Sequence, residues 1–332
     1  MKIKKTLIIG FLILLVSITG CVEEQPGETV RLVDKVTIAD AKSLVAAHVY
    51  VALENGYFEE EGLDVTLDQT YTHGRDMING VLDGRADFAT GSETPFMHSG
   101  LNNENIYIIA TTVKPQKNIV LVARKEKIKT FDDLKEKKIG VTFGSNAEFL
   151  LDLLLQLNEM EKEDVELVNL RPGQMVESLT NDDVDAIISW YPHWQNAKDA
   201  LGSEVTIFSE DRYTPHFVLG ARKDFVNNNP DLIKKFLNAI KKSDNFIDND
   251  LDEAASIFSK YMGTEKEFLG DLDEQYVFYL SLKQSLILIL EDQARWAIKN
   301  NLTDATKVPN YLDYIYFDAL EEVKPEVVTI IH

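Results

Sequence analysis

The side chains able to do chemistry fall in short clusters where an apolar run gives way to an amphipathic stretch. Lys42 and Ser43 follow the run Lys35 to Ala39, and His73 precedes a stripe of Met77, Ile78, Val81 and Leu82. Gly91, Ser92, Glu93 and Thr94 follow Ala86 to Thr90, and Gly144, Ser145 and Asn146 follow Lys138 to Thr142. Arg171 follows Val165 to Leu170, and Ser189, Trp190 and Tyr191 close the run that begins at Val184. Beyond the carboxyl ends of parallel strands, helix N-termini present unpaired N–H groups and partial positive charge, which suits non-covalent capture of an anion. Lys42, His73, Arg75, Lys114 and Arg171 are the basic residues nearest these loops, and Trp190, Tyr191, Tyr213 and Phe217 are candidate aromatic walls. Several of these have a structural role open to them as well. Ser145 and Glu148 match a capping box, and Ser43 and Thr94 suit helix caps; a cap and an anion use the same N–H groups. Glu93, directly before Thr94 and Pro95, either complements a helix dipole or meets a substrate amine.

Catalytic and metal chemistry have no comparable constellation. His48, His73, His98, His193, His216 and His332 are scattered without ligand spacing. There is no phosphate-binding Gly-Lys-Ser/Thr loop, paired-histidine zinc helix, dinucleotide glycine fingerprint or Gly-x-Ser-x-Gly elbow. Cys21 is the one cysteine in 332 residues, so the body of the chain has no thiol for catalysis, a metal or a disulfide. The expectation is a binding protein, not an enzyme, with no cofactor.

The elements that must hold these clusters follow from periodicity. Lys35 to Ala39, Leu63 to Leu67, Ala86 to Thr90, Lys138 to Thr142, Val165 to Leu170 and Val184 to Ser189 read as strands. Between them Leu44 to Asn55, Met77 to Leu82, Asn146 to Leu157 and Met175 to Leu179 read as helices, with Gly56 placed for a left-handed cap. Alternating strands and helices imply an α/β protein with largely parallel sheets. Two passages repeat: Asp83-Gly84-Arg85 then Asp87-Phe88-Ala89, and Asn181-Asp182-Asp183 then Asp185-Ala186-Ile187, each followed by a proline, Pro95 or Pro192. Two similar lobes explain the repetition. From Asn229 the pattern turns helical, with Leu232, Ile233, Phe236, Leu237 and Ile240 on one stripe.

At the amino end, Lys2, Lys4 and Lys5 precede an apolar run from Thr6 to Ile18, the layout of an export signal and too short to span a bilayer comfortably. Ile18-Thr19-Gly20-Cys21 resembles a lipobox, and a polar tether follows. The expectation is a signal over residues 1–20, a lipid on Cys21 with a tether over 21–34, and a mature protein held on the outer face of the cell membrane. Removing residues 1–20 takes the formal charge from −21 to −24, which speaks against nucleic acid as a partner and favours a soluble monomer.

The stretch Val49-Tyr50-Val51-Ala52-Leu53-Glu54-Asn55-Gly56-Tyr57-Phe58-Glu59-Glu60-Glu61-Gly62-Leu63-Asp64-Val65 resembles the opening motif of the nitrate, sulfonate and taurine solute-binding proteins of ABC importers. Gly80 to Phe88, Thr130 to Phe143, Gly144 to Glu148 and Trp190 to His193 extend the similarity. The same superfamily includes the pyrimidine receptors of thiamine-precursor import. The resemblance implies the two-lobed type II periplasmic-binding fold, with lobe 1 over residues 35–115 and 217–332 and lobe 2 over 116–216. It also implies crossings near Lys114 to Asn118 and Tyr213 to Phe217, a ligand between the lobes, and an ABC permease with its ATPase as partners. On that reading Lys42-Ser43 and Ser92-Glu93-Thr94 form one jaw, and Gly144-Ser145 with Ser189-Trp190-Tyr191 the other. The implied ligand is a small oxyanion or organic sulfonate, with a pyrimidine precursor as the alternative. Pyrimidine synthases of the superfamily are intracellular and depend on a cysteine-rich motif, which the export signal and the cysteine-free body oppose. An exported sensor or adhesion domain needs no permease, and a neighbouring ATPase and permease gene would separate the two.

Overall fold

The computed structural model describes residues 33–332 apart from 117, 118, 211, 270 and 271, so Cys21 and the expected tether up to residue 32 lie outside the described residues, while Asp34, expected as the tether's end, already opens the first strand. The chain begins with β1 (Asp34–Ala39), α1 (Ala47–Glu54), α2 (Tyr57–Glu60) and β2 (Leu63–Asp68), and continues through α3 (Gly74–Leu82), β3 (Phe88–Ser92), α4 (Glu93–Leu101) and β4 (Ile106–Pro115). It then builds a second sheet from β5 (Ile119–Arg124), β6 (Lys138–Val141), α5 (Asn146–Leu157), β7 (Glu166–Asn169), α6 (Met175–Thr180), β8 (Ala186–Trp190), α7 (His193–Leu201) and β9 (Val205–Phe208). Strand β10 (Phe217–Arg222) returns to the first sheet. After it come α8 (Lys223–Asn228), α9 (Pro230–Asn249), α10 (Leu251–Met262), α11 (Leu272–Gln275), β11 (Tyr276–Ser281), α12 (Gln284–Lys299) and α13 (Asp318–Val323). This is a mixed α/β fold of two helix-flanked sheets, the arrangement of periplasmic binding proteins.

The sheets run β11-β4-β10-β3-β1-β2 and β7-β6-β8-β5-β9. Their shared portion has one topology: β1 is parallel to β2 and β3 while β10 is antiparallel to β3 and β4, and β6 is parallel to β7 and β8 while β5 is antiparallel to β8 and β9. The repeated sequence passages lead into β3 and β8, the equivalent strands. One aspartate does the same work in each: the Asp87 carboxylate accepts the Thr37 N–H at 2.8 Å, and the Asp185 carboxylate accepts the Lys138 N–H at 2.9 Å. Each bond fixes the register of a parallel neighbour just where its ladder begins.

The periodic stripes become the core. In α9, Ile233, Phe236, Leu237 and Ile240 are buried, and the Phe236 ring stacks on Phe88 of β3 with centroids 4.1 Å apart. Burying each such side chain contributes roughly 2 kcal/mol. Three local expectations are corrected. Leu44 to Asn55 is not one helix: Leu44–Ala46 is a 3-10 turn leading into α1, so the chain tightens at the end that faces the loop after β1. Asn229 does not cap α9 with its side chain; its amide donates back to the Phe225 carbonyl at 2.8 Å. Nor does the Ser145 hydroxyl cap α5: it donates to the Thr142 carbonyl at 2.6 Å, while Glu148 accepts the Gly144 N–H at 2.7 Å.

Helix α12 reaches across to the second sheet's side of the molecule. Trp296 packs edge-on against Phe149 of α5 with centroids 5.3 Å apart, and the Asn300 amide lies 3.4 Å from the Asp152 carboxylate.

Candidate ligand-binding cleft

Loops at the carboxyl ends of strands from both sheets enclose a cavity of about 240 Å³. The loop after β1 supplies Ala41 to Val45, and the segment entering α3 supplies Thr72 to Arg75. Gly91, Ser92 and Pro95 come from the end of β3 and the start of α4. The second sheet supplies Thr142 to Asn146 after β6, and Trp190 to His193 after β8. Phe217, Met262 and Tyr276, far apart in sequence, complete the wall with Met77.

Three helical starts open onto this cavity behind serines that make no side-chain cap bond: Ser43 before the 3-10 turn and α1, Ser92 before α4, and Ser145 before α5. First-turn N–H groups left without a cap acceptor are donors suited to an anion, although at α4 the Glu93 N–H is already accepted by the His216 carbonyl at 3.0 Å. Gly144 permits the turn into α5 by taking φ of 72°, the left-handed region that a residue with Cβ avoids. His73 differs, because its Nδ1 caps α3 by accepting the Asp76 N–H at 3.3 Å.

The cationic lining is uneven. Arg75 is bound in bidentate fashion by Glu104 at 2.6 and 2.8 Å, and burial pulls the His193 imidazole below its ordinary value. Lys42 is exposed, and its ammonium has no acid partner among the described residues. It also holds φ of 53°, uncommon for a residue with a side chain. Asp40, fully buried beside it, anchors that loop by accepting the Tyr50 hydroxyl at 2.7 Å and the Gln69 amide at 2.8 Å. No aspartate or glutamate lines the cavity among the described residues.

Of the residues singled out from sequence, Lys42, Ser43, His73, Gly91, Ser92, Gly144, Ser145, Asn146, Trp190 and Tyr191 sit on this lining, with Arg75 and Phe217. Five others do not. Glu93 is 0 % exposed and turns inward, where its carboxylate accepts the Tyr213 hydroxyl at 2.5 Å, the Gln293 amide at 2.7 Å and the His216 N–H at 2.9 Å. Burial pushes the Glu93 carboxyl up from its ordinary value, against the pull of these donors, and pushes the Tyr213 hydroxyl well up too. Tyr213 is thereby an internal post, not a cleft wall. Thr94 is buried as the second residue of α4, and Ser189 is buried within β8. Arg171 is exposed on the far loop, where its N–H donates to the Gln174 side chain at 3.0 Å. Sequence reasoning missed Phe143, Met262 and Tyr276. Phe143 alone carried a signal, standing directly before the Gly144-Ser145 turn.

A family model described as NMT1/THI5 like matches residues 44–254. A Bacillus subtilis aliphatic sulfonates-binding protein is 26% identical over 231 residues, 67% of this chain and 68% of its own. A Brucella abortus binding protein is 25% identical over 221 residues, 65% of this chain and 67% of its own. Both names carry the qualifier putative. Among solved structures, the periplasmic aliphatic sulphonate binding protein SsuA from Escherichia coli superposes with a TM-score of 0.71 at 17% identity, covering 85% of this chain and 97% of that one. The desulfurization enzyme DSZB does so with a TM-score of 0.63 at 16% identity, covering 88% and 99%. A fold shared by a receptor and an enzyme assigns neither role, which has to be argued from the site.

Proposed function

The chain belongs to the NMT1/THI5-like family, and on that footing we propose that it is the exported solute-binding component of an ABC importer, capturing a small organic sulfonate or related oxyanion. The observation that carries this reading is the cavity itself. Serine-led helical starts from both sheets converge on it, Lys42 is free of acid partners among the described residues, and the lining there holds no carboxylate. An anion in that position gains N–H donors and a cation, and meets no carboxylate on the lining itself among the described residues.

In this proposal residues 35–115 with 217–332 form one lobe and residues 116–216 the other. Ligand favours the closed arrangement because only closure brings both sets of loops onto it. The protein acts by binding and delivery to a permease and its ATPase, tethered by lipid at Cys21. The Ser145 hydroxyl supports a non-catalytic role, since it is spent on the Thr142 carbonyl and not paired with a histidine base.

A thermal-shift screen of the purified mature protein tests the ligand class, because a solute at one hundred times its Kd stabilises the folded state by about 2.7 kcal/mol. Sulfonates or a small oxyanion such as nitrate or bicarbonate should raise the Tm. The aromatic lining of Trp190, Tyr191 and Tyr276 favours one second reading, a receptor for a pyrimidine precursor. A shift given by an aminopyrimidine alone would replace the oxyanion reading, and no shift with any of these solutes would refute both.

A further inference from the structure

We infer that the cleft selects anions whose remaining part is an uncharged, ring-sized apolar tail, and that it rejects tails carrying an ammonium. This rests on the oxyanion reading above and names the part of the ligand which that reading leaves open.

The first support is the withdrawal of Glu93. It is the acid in the first turn of α4, yet it is fully buried and its oxygens are taken by Tyr213, Gln293 and the His216 N–H. No other carboxylate lines the cavity among the described residues. An amine brought here leaves water without gaining a counter-charge, and it shares the space with Lys42. The second support is volume. A cavity of roughly 150 Å³ accepts a benzene ring, and water occupies about 30 Å³ in the liquid. The 240 Å³ present here therefore holds a ring with room over for an oxyanion head, whereas a bare inorganic anion would leave most of it as water.

The third support is Phe143. Its N–H is fixed by the Asn169 side chain at 3.1 Å, yet the residue remains 45 % exposed while lining the cavity. A large apolar side chain held out in this way gains burial when an apolar tail arrives. Met262 and Tyr276 bring further apolar surface to the same cavity.

Calorimetry with two matched ligand pairs on the intact mature protein tests the inference. Propane-1-sulfonate and taurine differ by a terminal methyl against an ammonium, and benzenesulfonate and methanesulfonate differ by the ring. The first member of each pair should bind at least about tenfold more tightly, the scale on which an apolar pocket separates such groups. Phe143→Ala should lose more affinity for benzenesulfonate than for methanesulfonate. Taurine binding as tightly as propane-1-sulfonate would overturn the inference, most directly if Glu93→Gln then abolished taurine binding alone. Equal affinity for benzenesulfonate and methanesulfonate would overturn it as well. Binding of none of the four removes the oxyanion reading itself, a result distinct from a wrong tail.

Discussion

Lys42 combines a charge and a strained backbone, and two substitutions take them apart. Lys42→Met removes the ammonium and keeps φ of 53°, whereas Lys42→Gly removes both the charge and the steric cost of that conformation. A hydrogen bond to a charged group contributes about 1.5–3 kcal/mol. Because Lys42 is exposed and screened, the lower end applies, and each variant should bind a sulfonate about tenfold more weakly. The left-handed conformation costs a residue with Cβ roughly 1 kcal/mol, so Lys42→Gly should also melt about 2 °C higher without ligand, while Lys42→Met should not. Calorimetry and unliganded melting read the two effects separately, and raising the ionic strength should narrow the gap in affinity between wild type and Lys42→Met. Wild-type affinity in Lys42→Met, at low and high salt alike, would refute the assignment of Lys42 to the anion.

Trp190→Ala should cost about 2 kcal/mol or more of ligand binding by calorimetry. Trp296→Ala, which empties the contact with Phe149 between α12 and α5, should instead cost about 3 kcal/mol of stability in denaturant titration. Unchanged binding in Trp190→Ala would mean that the cleft is drawn in the wrong place. Burial opposes ionisation of Asp244, but His48 at 3.1 Å and Lys324 at 2.8 Å outweigh it and hold the carboxyl below its ordinary value of 3.8. The stability from this depressed carboxyl is present above the ordinary value and is lost as pH falls below it, so Asp244→Asn should flatten the acid limb of a Tm-against-pH profile. Cys21→Ala, expressed in a host with the lipoprotein pathway, should move the protein from the membrane to the soluble fraction on fractionation; unchanged membrane association would count against the anchor.

The sequence by itself determined β1, β2, β3, β6, β7 and β8 with the helices between them, because strand and helix periodicities are local, whereas β4, β5, β9, β10 and β11, the last inside a stretch that reads as helical, came only with the structure. It also determined the duplication, visible in Asp87 and Asp185 before the structure showed that both hold the register of a parallel neighbour. The loops at the strand ends followed, and with them Lys42, Ser43, Ser92, Ser145 and Trp190 on the cavity. Only the tertiary structure decided which way neighbouring residues on those loops point. Ser92 and Glu93 are adjacent, yet Ser92 faces the cavity and Glu93 faces Gln293, a partner two hundred positions away in sequence. Tyr213 was drawn into the core for the same reason. Met262 and Tyr276 reach the cleft because α10 and β11 pack back against the first sheet, a placement their own sequence does not encode. Local pattern fixes the path of the backbone at short range; what a side chain at the tip of a loop meets is set by long-range packing, which buries a carboxylate only where distant donors are already in place to receive it.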